Sequence, residues 1–303
     1  MQFAAKRKRI HVSAEDRVLS LCFYAFITLF AIFALVPFLL VLSASFTEEI
    51  TLNRFGYKLW PMEFSLDAYR LALEDGGIGQ AYIITIFTTV AGTLMSMLFT
   101  CAGAYALSVK SFRSRGGVAL FIYFTMLFNG GLVPSYLLIT KFLGLQNSLM
   151  VLLLPSLCNA WNILLMRNFF NSVPDSLREA AKVDGASDLR VLVQIMLPVS
   201  LPAIATIGLF YALSYWNEWY KCLLYIDTNH SHLYTLQYLI QRILRQVNYA
   251  ATLPAEAASL QGMLPTYSFR MAAIMLAIGP IVLLYPFLQK YFVAGLTVGA
   301  VKG

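Results

Sequence analysis

EAAKVDGASDLRVLVQIMLP, residues 179–198, is a polar island between two long apolar runs. It gathers Glu179, Asp184 and Asp188 with Lys182 and Arg190 around Gly185, in a chain of 303 residues that is 59% hydrophobic and 12% charged. An ordinary soluble domain is about a quarter charged. So apolar a chain belongs in a lipid bilayer, and the island is then a loop between two membrane spans. Crossing about 30 Å of hydrocarbon takes roughly 20 apolar residues per helix. Six stretches qualify: Val18 to Ser43, Gln80 to Val109, Val118 to Ile139, Leu149 to Phe170, Leu201 to Ile226 and Phe269 to Val293.

Apolar residues fill every face of these stretches, without the period of two that marks a transmembrane barrel. The predicted fold is all-α, a polytopic bundle of six transmembrane helices. Lys and Arg gather at the N-terminus (Lys6, Arg7, Lys8, Arg9, Arg17), in the second loop (Lys110, Arg113, Arg115) and in the fourth (Arg178, Lys182, Arg190). Short loops rich in these residues stay in the cytoplasm. The first loop, 44–79, is acidic on balance and is expected outside, which leaves both termini inside. The net charge of +7 is thereby a topology signal and not a nucleic-acid patch. The first apolar run is too long for a cleaved signal peptide and lacks a small-x-small site. Cys22, Cys101, Cys158 and Cys222 lie in or beside spans without a C-x-x-C pair, and read as packing residues.

Within the island, local signals predict two short helices and a turn. Ser172 with Asp175, and Ser176 with Glu179, match overlapping capping boxes, with Pro174 tolerable in a first turn. Gly185 can take the left-handed conformation that ends a helix, Ser187 can cap the next, and Pro198 breaks the chain before the fifth span. Ala180, Ala181 and Ala186 carry almost no bulk, so another protein's surface can approach the backbone. Two readings remain open on spacing alone: a docking knob, or an amphipathic helix lying on the membrane.

The order Glu179, Ala180, Ala181, Asp184, Gly185, Ala186, Leu197, Pro198 resembles the EAA loop of permease subunits in bacterial ABC importers. The family often has Phe where this chain has Leu192. The resemblance implies the type I importer permease fold and a coupling role for loop 171–199, with Glu179, Ala180, Ala181, Asp184, Gly185, Ala186, Leu192 and Pro198 at a cleft of a separate ATP-hydrolysing subunit. The tail GLTVGAVKG, 295–303, is similar to that of the smaller permease in maltose-type importers. This implies that residues 294–303, with Gly295, Gly299, Lys302 and Gly303, reach the ATPase interface; a frayed terminus is the alternative. LFNGGLVPSYLL, 127–138, and YWNEWY, 215–220, resemble importers of polysaccharide-derived oligosaccharides. By the same resemblance the partners are a homologous second permease, two copies of an ATPase that holds ATP and Mg, and an extracellular or periplasmic sugar-binding protein. The whole chain, 1–303, is then one permease domain of the bacterial cytoplasmic membrane.

The sequence holds no G-x-x-x-x-G-K-[ST] loop, so ATP chemistry is expected in a partner; this chain is expected to bind no cofactor and no metal. His230 and His232 form a lone H-x-H in an outer loop, read as a solvated pair. A sugar path needs aromatic faces beside polar groups. Tyr215, Trp216, Asn217, Glu218 and Trp219 form one such cluster, near the outer end of the fifth span, where an aromatic belt is the alternative. Asn129, Gly130 and Gly131 interrupt the third span and mark either an unwound stretch lining the path or close helix packing. The outer loop 227–268 should carry a helix near Leu233 to Val247, with Arg242 and Arg245 on its surface, as a binding-protein platform or as a lid. An ion-driven transporter would place ionisable groups at depth in inverted halves, and a membrane enzyme would show a nucleophile or metal cluster. Neither pattern is visible.

Overall fold

The computed structural model describes residues 14–74, 77–251 and 267–282. Among them the regular elements are all helices, with a single β-bridge between Thr47 and Phe64. It divides into two compact units.

The first unit runs to Tyr69 and includes the last helix as far as Met275. Its helix α1 (Ala14–Ser45) is long enough to cross a membrane, and the most apolar part of it buries nothing. Phe33 is 75% exposed, so a bilayer or another protein must cover this surface. The loop after it forms the short helix α2 (Glu49–Phe55), and α3 (Asp67–Glu74) follows. Glu49 accepts hydrogen bonds from the Tyr267 and Ser268 backbone amides at 2.9 and 2.8 Å. A carboxylate there satisfies orphan donors at a helix start and favours the helix dipole.

The second unit is built on α4 (Ile78–Ser108), among the described residues the second unbroken helix of membrane length. The expected third span is bent by 112° between α5 (Arg115–Leu127) and the segment Leu132–Phe142, which begins with α6 (Leu132–Leu137). The fourth is bent by 47° between Leu149–Ser156, which holds α7 (Leu149–Leu153), and α8 (Ala160–Ser172). The loop that follows holds α9 (Asp175–Val183) and α10 (Asp188–Val191), a π-turn at Leu192–Met196 and α11 (Leu197–Val199). At Ser200 the chain turns by 88° into α12 (Leu201–Trp216). The expected fifth span therefore stops short of Ile226: α12 ends at Trp216, and α13 (Tyr220–Tyr225) is a separate helix. A 3₁₀ stretch, Thr228–Leu233, leads to α14 (Leu236–Ala251), three residues later than the helix expected in the outer loop. The sixth expected span is described only as α15 (Tyr267–Val282).

In lipid, helices associate through close packing and interhelical hydrogen bonds, which small residues permit. Helix α4 supplies such a face at four-residue spacing: Gly92, Ser96, Thr100, Ala104 and Ser108, all buried. A Cβ at Gly92 would lie 2.5 Å from the Tyr215 ring, so only glycine fits beneath it. Ser96 meets the Tyr215 hydroxyl at 3.1 Å, and Thr100 meets the Tyr211 hydroxyl at 2.7 Å. Around these contacts Leu153, Met166, Phe170, Val191, Met196 and Ile207 complete the core. Cys101 and Cys222 are packing residues as expected; Cys22 and Cys158 are exposed, a correction to the reading of all four as packed.

Candidate functional site

The turn expected at Gly185 is present. Gly185 has φ +79°, Ala186 N–H donates to Ala181 O at 2.9 Å and Gly185 N–H to Lys182 O at 3.0 Å, the paired bonds of a Schellman C-cap. Ser187 then caps α10, its Oγ accepting from Arg190 N–H at 3.3 Å. The two capping boxes do not form. Pro174 occupies the N-cap of α9 and has no side-chain oxygen to offer, while Ser172 Oγ donates back to Phe169 O at 2.7 Å.

Four polar contacts fix this segment to the spans. Arg178, 8% exposed, donates from Nη2 to Phe170 O at 2.7 Å, at the end of α8, and from Nη1 to Ser108 O at 3.2 Å, at the end of α4. Its guanidinium also lies over the Tyr105 ring at 5.9 Å. A cation suits these two C-terminal helix ends, whose carbonyls carry the negative pole of the dipole. Tyr105 donates to Asp188 Oδ1 at 3.1 Å, Lys182 pairs with that same oxygen at 3.0 Å, and Lys110 pairs with Asp175. The Lys182 and Tyr105 bonds hold the Asp188 carboxyl below its ordinary range, and Lys110 does so for Asp175. Sequence reasoning missed Arg178 as an anchor, because a basic residue in this loop already had a topological meaning.

The outer edge of the segment is bare. Glu179, Ala180, Asp184 and Pro198 are exposed, as are Val183 (87%) and Leu189 (71%), which flank the turn. Ala181 and Ala186 pack partly against the chain's own core, and Leu192 is buried in it. Those three residues seat the knob, and Ala180 alone of the three alanines lies open to a partner. Gly295, Gly299, Lys302 and Gly303 lie outside the described residues.

Two cavities adjoin the 3₁₀ turn Leu154–Ser156, with Pro155 lining both. The larger, about 510 Å³, is lined by Ser156, Asn159, Trp161, Asn162, Tyr211 and Ser214 among others. Trp161 is 61% exposed, and Asn159 Oδ1 caps α8 by accepting from Asn162 N–H at 3.0 Å. The smaller, about 390 Å³, has Asn129, Ser135, Tyr220, Lys221 and Tyr225 in its wall. The interruption at Asn129 is an unwound stretch: Asn129 Oδ1 accepts from Gly131 N–H at 2.8 Å, and Gly131 has φ +88°. The aromatic cluster is not brought together around a path. Tyr215 and Trp216 are core residues, Trp216 donating to Ala277 O at 3.2 Å. Asn217 donates to Leu213 O at 2.9 Å and closes α12, and Trp219 packs on Tyr220. Glu218 lies beyond the end of α12, paired with Lys221. His230 is bonded to Asp227 at 2.7 Å with both side chains still open to solvent, and His232 is exposed.

Residues 3–298 match the family described as binding-protein-dependent transport system inner membrane component. The chain belongs to this family. As such a component it is a membrane-embedded permease subunit, and ATP hydrolysis in these systems belongs to a separate subunit. It is 39% identical to the polygalacturonan/rhamnogalacturonan transport system permease protein YtcP of Bacillus subtilis, over 95% of this chain and all of that protein. It is 31% identical to the trehalose/maltose transport system permease protein MalG of Thermococcus litoralis, over 91% of this chain and 94% of that one. A crystal structure of a bacterial ABC transporter that imports the acidic polysaccharide alginate contains a chain of the same fold. It has a TM-score of 0.79 and 33% identity, covering 92% of this chain and 98% of that one.

Proposed function

We propose that this chain is one half of the translocation path of an ATP-driven oligosaccharide importer, coupled to its ATPase through loop 171–199. The observation that carries this reading is the knob itself: a Schellman-closed turn, anchored by Arg178 to two membrane helices, with Val183 and Leu189 exposed at its rim. Exposed apolar residues on a rigid mount suit a cleft in another protein, and Glu179 beside them is free to pair with a basic group there.

In the complete assembly, a homologous second permease completes the path and two ATPase copies hold ATP and Mg. An extracellular or periplasmic sugar-binding protein delivers the cargo. Both termini and the knob face the cytoplasm, the tail 294–303 touches the ATPase pair, and 1–303 works as one permease domain. Closure of the ATPases pulls the knob, and the bundle alternates between inward and outward access. Sugar rings meet the larger cavity, where Trp161 offers an aromatic face and Asn159, Asn162 and Ser214 offer hydrogen bonds.

The test is affinity purification of the chain in detergent, with identification of its companions and ATPase assay of wild type and Gly185→Val. The expected result is a second permease, an ATPase and hydrolysis stimulated by loaded binding protein, with stimulation lost in the variant. A stable lone chain, or a Gly185→Val complex with full transport, overturns the reading.

A further inference from the structure

Lys221 is an unusual wall residue. It lies in an apolar run, its side chain is only 13% exposed, and it is the one charged group among the residues lining the smaller cavity. A buried charge is costly unless it is paired. Glu218 supplies the partner from behind: its Oε2 takes the Lys221 ammonium and its Oε1 accepts the Lys221 backbone N–H at 2.9 Å. Glu218 does not itself line the cavity. The ammonium also lies 5.9 Å from the Tyr215 ring centroid. An ammonium has three hydrogens, so one bond to Glu218 leaves donors for a second acceptor.

The rest of the wall fits a sugar. Tyr220 is 44% exposed, Tyr225 is stacked on Tyr136 at 5.7 Å, and Asn129, with its Oδ1 engaged by Gly131, keeps its amide as a donor. A cation behind a ring-sized cavity, with no carboxylate in the wall, selects for a sugar that carries an anion. We propose that this cavity is a uronate subsite, in which Lys221 bridges Glu218 and the carboxylate of an acidic oligosaccharide while Tyr220 and Asn129 meet the ring. Glu218 holds the Lys221 side chain when the subsite is empty, so the ligand meets a donor already in position. The inference deepens the importer reading and rests on it.

The test uses the complete transporter in proteoliposomes with its binding protein, whose own affinities are measured separately. Uptake of trigalacturonate is compared with uptake of its methyl ester and of maltotriose. Wild type should favour the free acid. The double variant Glu218→Gln/Lys221→Gln removes both charges and leaves no buried ion unpaired. It should lower trigalacturonate uptake about tenfold, the loss of one charge-assisted hydrogen bond, with the ester within about twofold of wild type. Lys221→Arg should retain the preference, and co-purification of the ATPase confirms that each variant assembles. An unchanged acid-to-ester ratio in the double variant overturns the subsite. So does a wild type that carries maltotriose but no acid, and that outcome leaves the importer reading standing. A wild type that moves no sugar overturns both.

Discussion

The knob at residues 175–191 and the break at 128–131 use the same device, a helix interrupted beside a glycine with positive φ, to opposite ends. At Gly185 the freed backbone groups are consumed within the segment, by the Schellman bonds and the Ser187 cap, and Arg178 ties the whole to two spans. At Gly131 the freed groups also find local partners, Asn129 Oδ1 for the N–H and Ser135 Oγ for the carbonyl, but the helices part by 112° and Asn129, Gly131 and Ser135 line a cavity. Both breaks satisfy their own backbone; the one that folds tightly against its neighbours yields a projecting contact, and the one whose helices diverge opens a cavity between them.

The largest effect should come from unmooring the knob. Arg178→Met deprives two helix-end carbonyls of a buried cation, at roughly 3 kcal/mol of local stability by the usual worth of charged hydrogen bonds. Hydrogen exchange across α9 should rise by about two orders of magnitude, with transport per ATP falling alongside. Unchanged protection in a folded variant would remove Arg178 as the anchor.

Next come the glycines. Gly185→Val and Gly131→Val each force a β-branched residue to positive φ, at about 1–3 kcal/mol. A Cβ at either position would meet no atom within 4 Å, so the penalty is backbone strain without a clash. The first should abolish stimulation of the ATPase by loaded binding protein and spare sugar affinity; the second should do the reverse. Identical phenotypes would erase the distinction between the two breaks.

Smaller still, Thr100→Val removes a buried interhelical bond to Tyr211, worth about 0.6 kcal/mol in a membrane, and should shift thermal unfolding slightly without moving either readout. Least of all is acid. Asp175 and Asp188 have carboxyls lowered from the ordinary 3.8. Their pairs therefore contribute fully above that value and are lost only as pH falls below it. Exchange protection of α9 and α10 should be flat from pH 8 to about pH 5 by that linkage. A midpoint near neutrality would mean that other groups hold the loop.

Much of this was legible in the sequence, for identifiable reasons. The turn at Gly185 and the Ser187 cap depend on neighbours a few residues away, and local rules reached them. The bends at 128–131, 157–159 and Ser200 were largely hidden, because runs apolar on every face look like straight spans whatever their axis does. Asn129 and its glycines were the exception, since they break the run's chemistry as well as its direction. The cluster Tyr215 to Trp219 misled because composition does not say which way a ring turns; Gly92, distant in sequence, decides that Tyr215 turns inward. Lys221 was the missed signal: a lysine inside an apolar run is costly, and so needs a reason.

The contact between Gly92 and Tyr215 also has an evolutionary consequence. Three ring atoms lie 2.5 to 2.7 Å from where a Cβ at position 92 would stand, so these positions share one fixed volume. A methyl group gained on α4 has to be matched by a smaller residue on α12. Among descendants of this chain, position 92 should leave glycine only where position 215 has already become smaller.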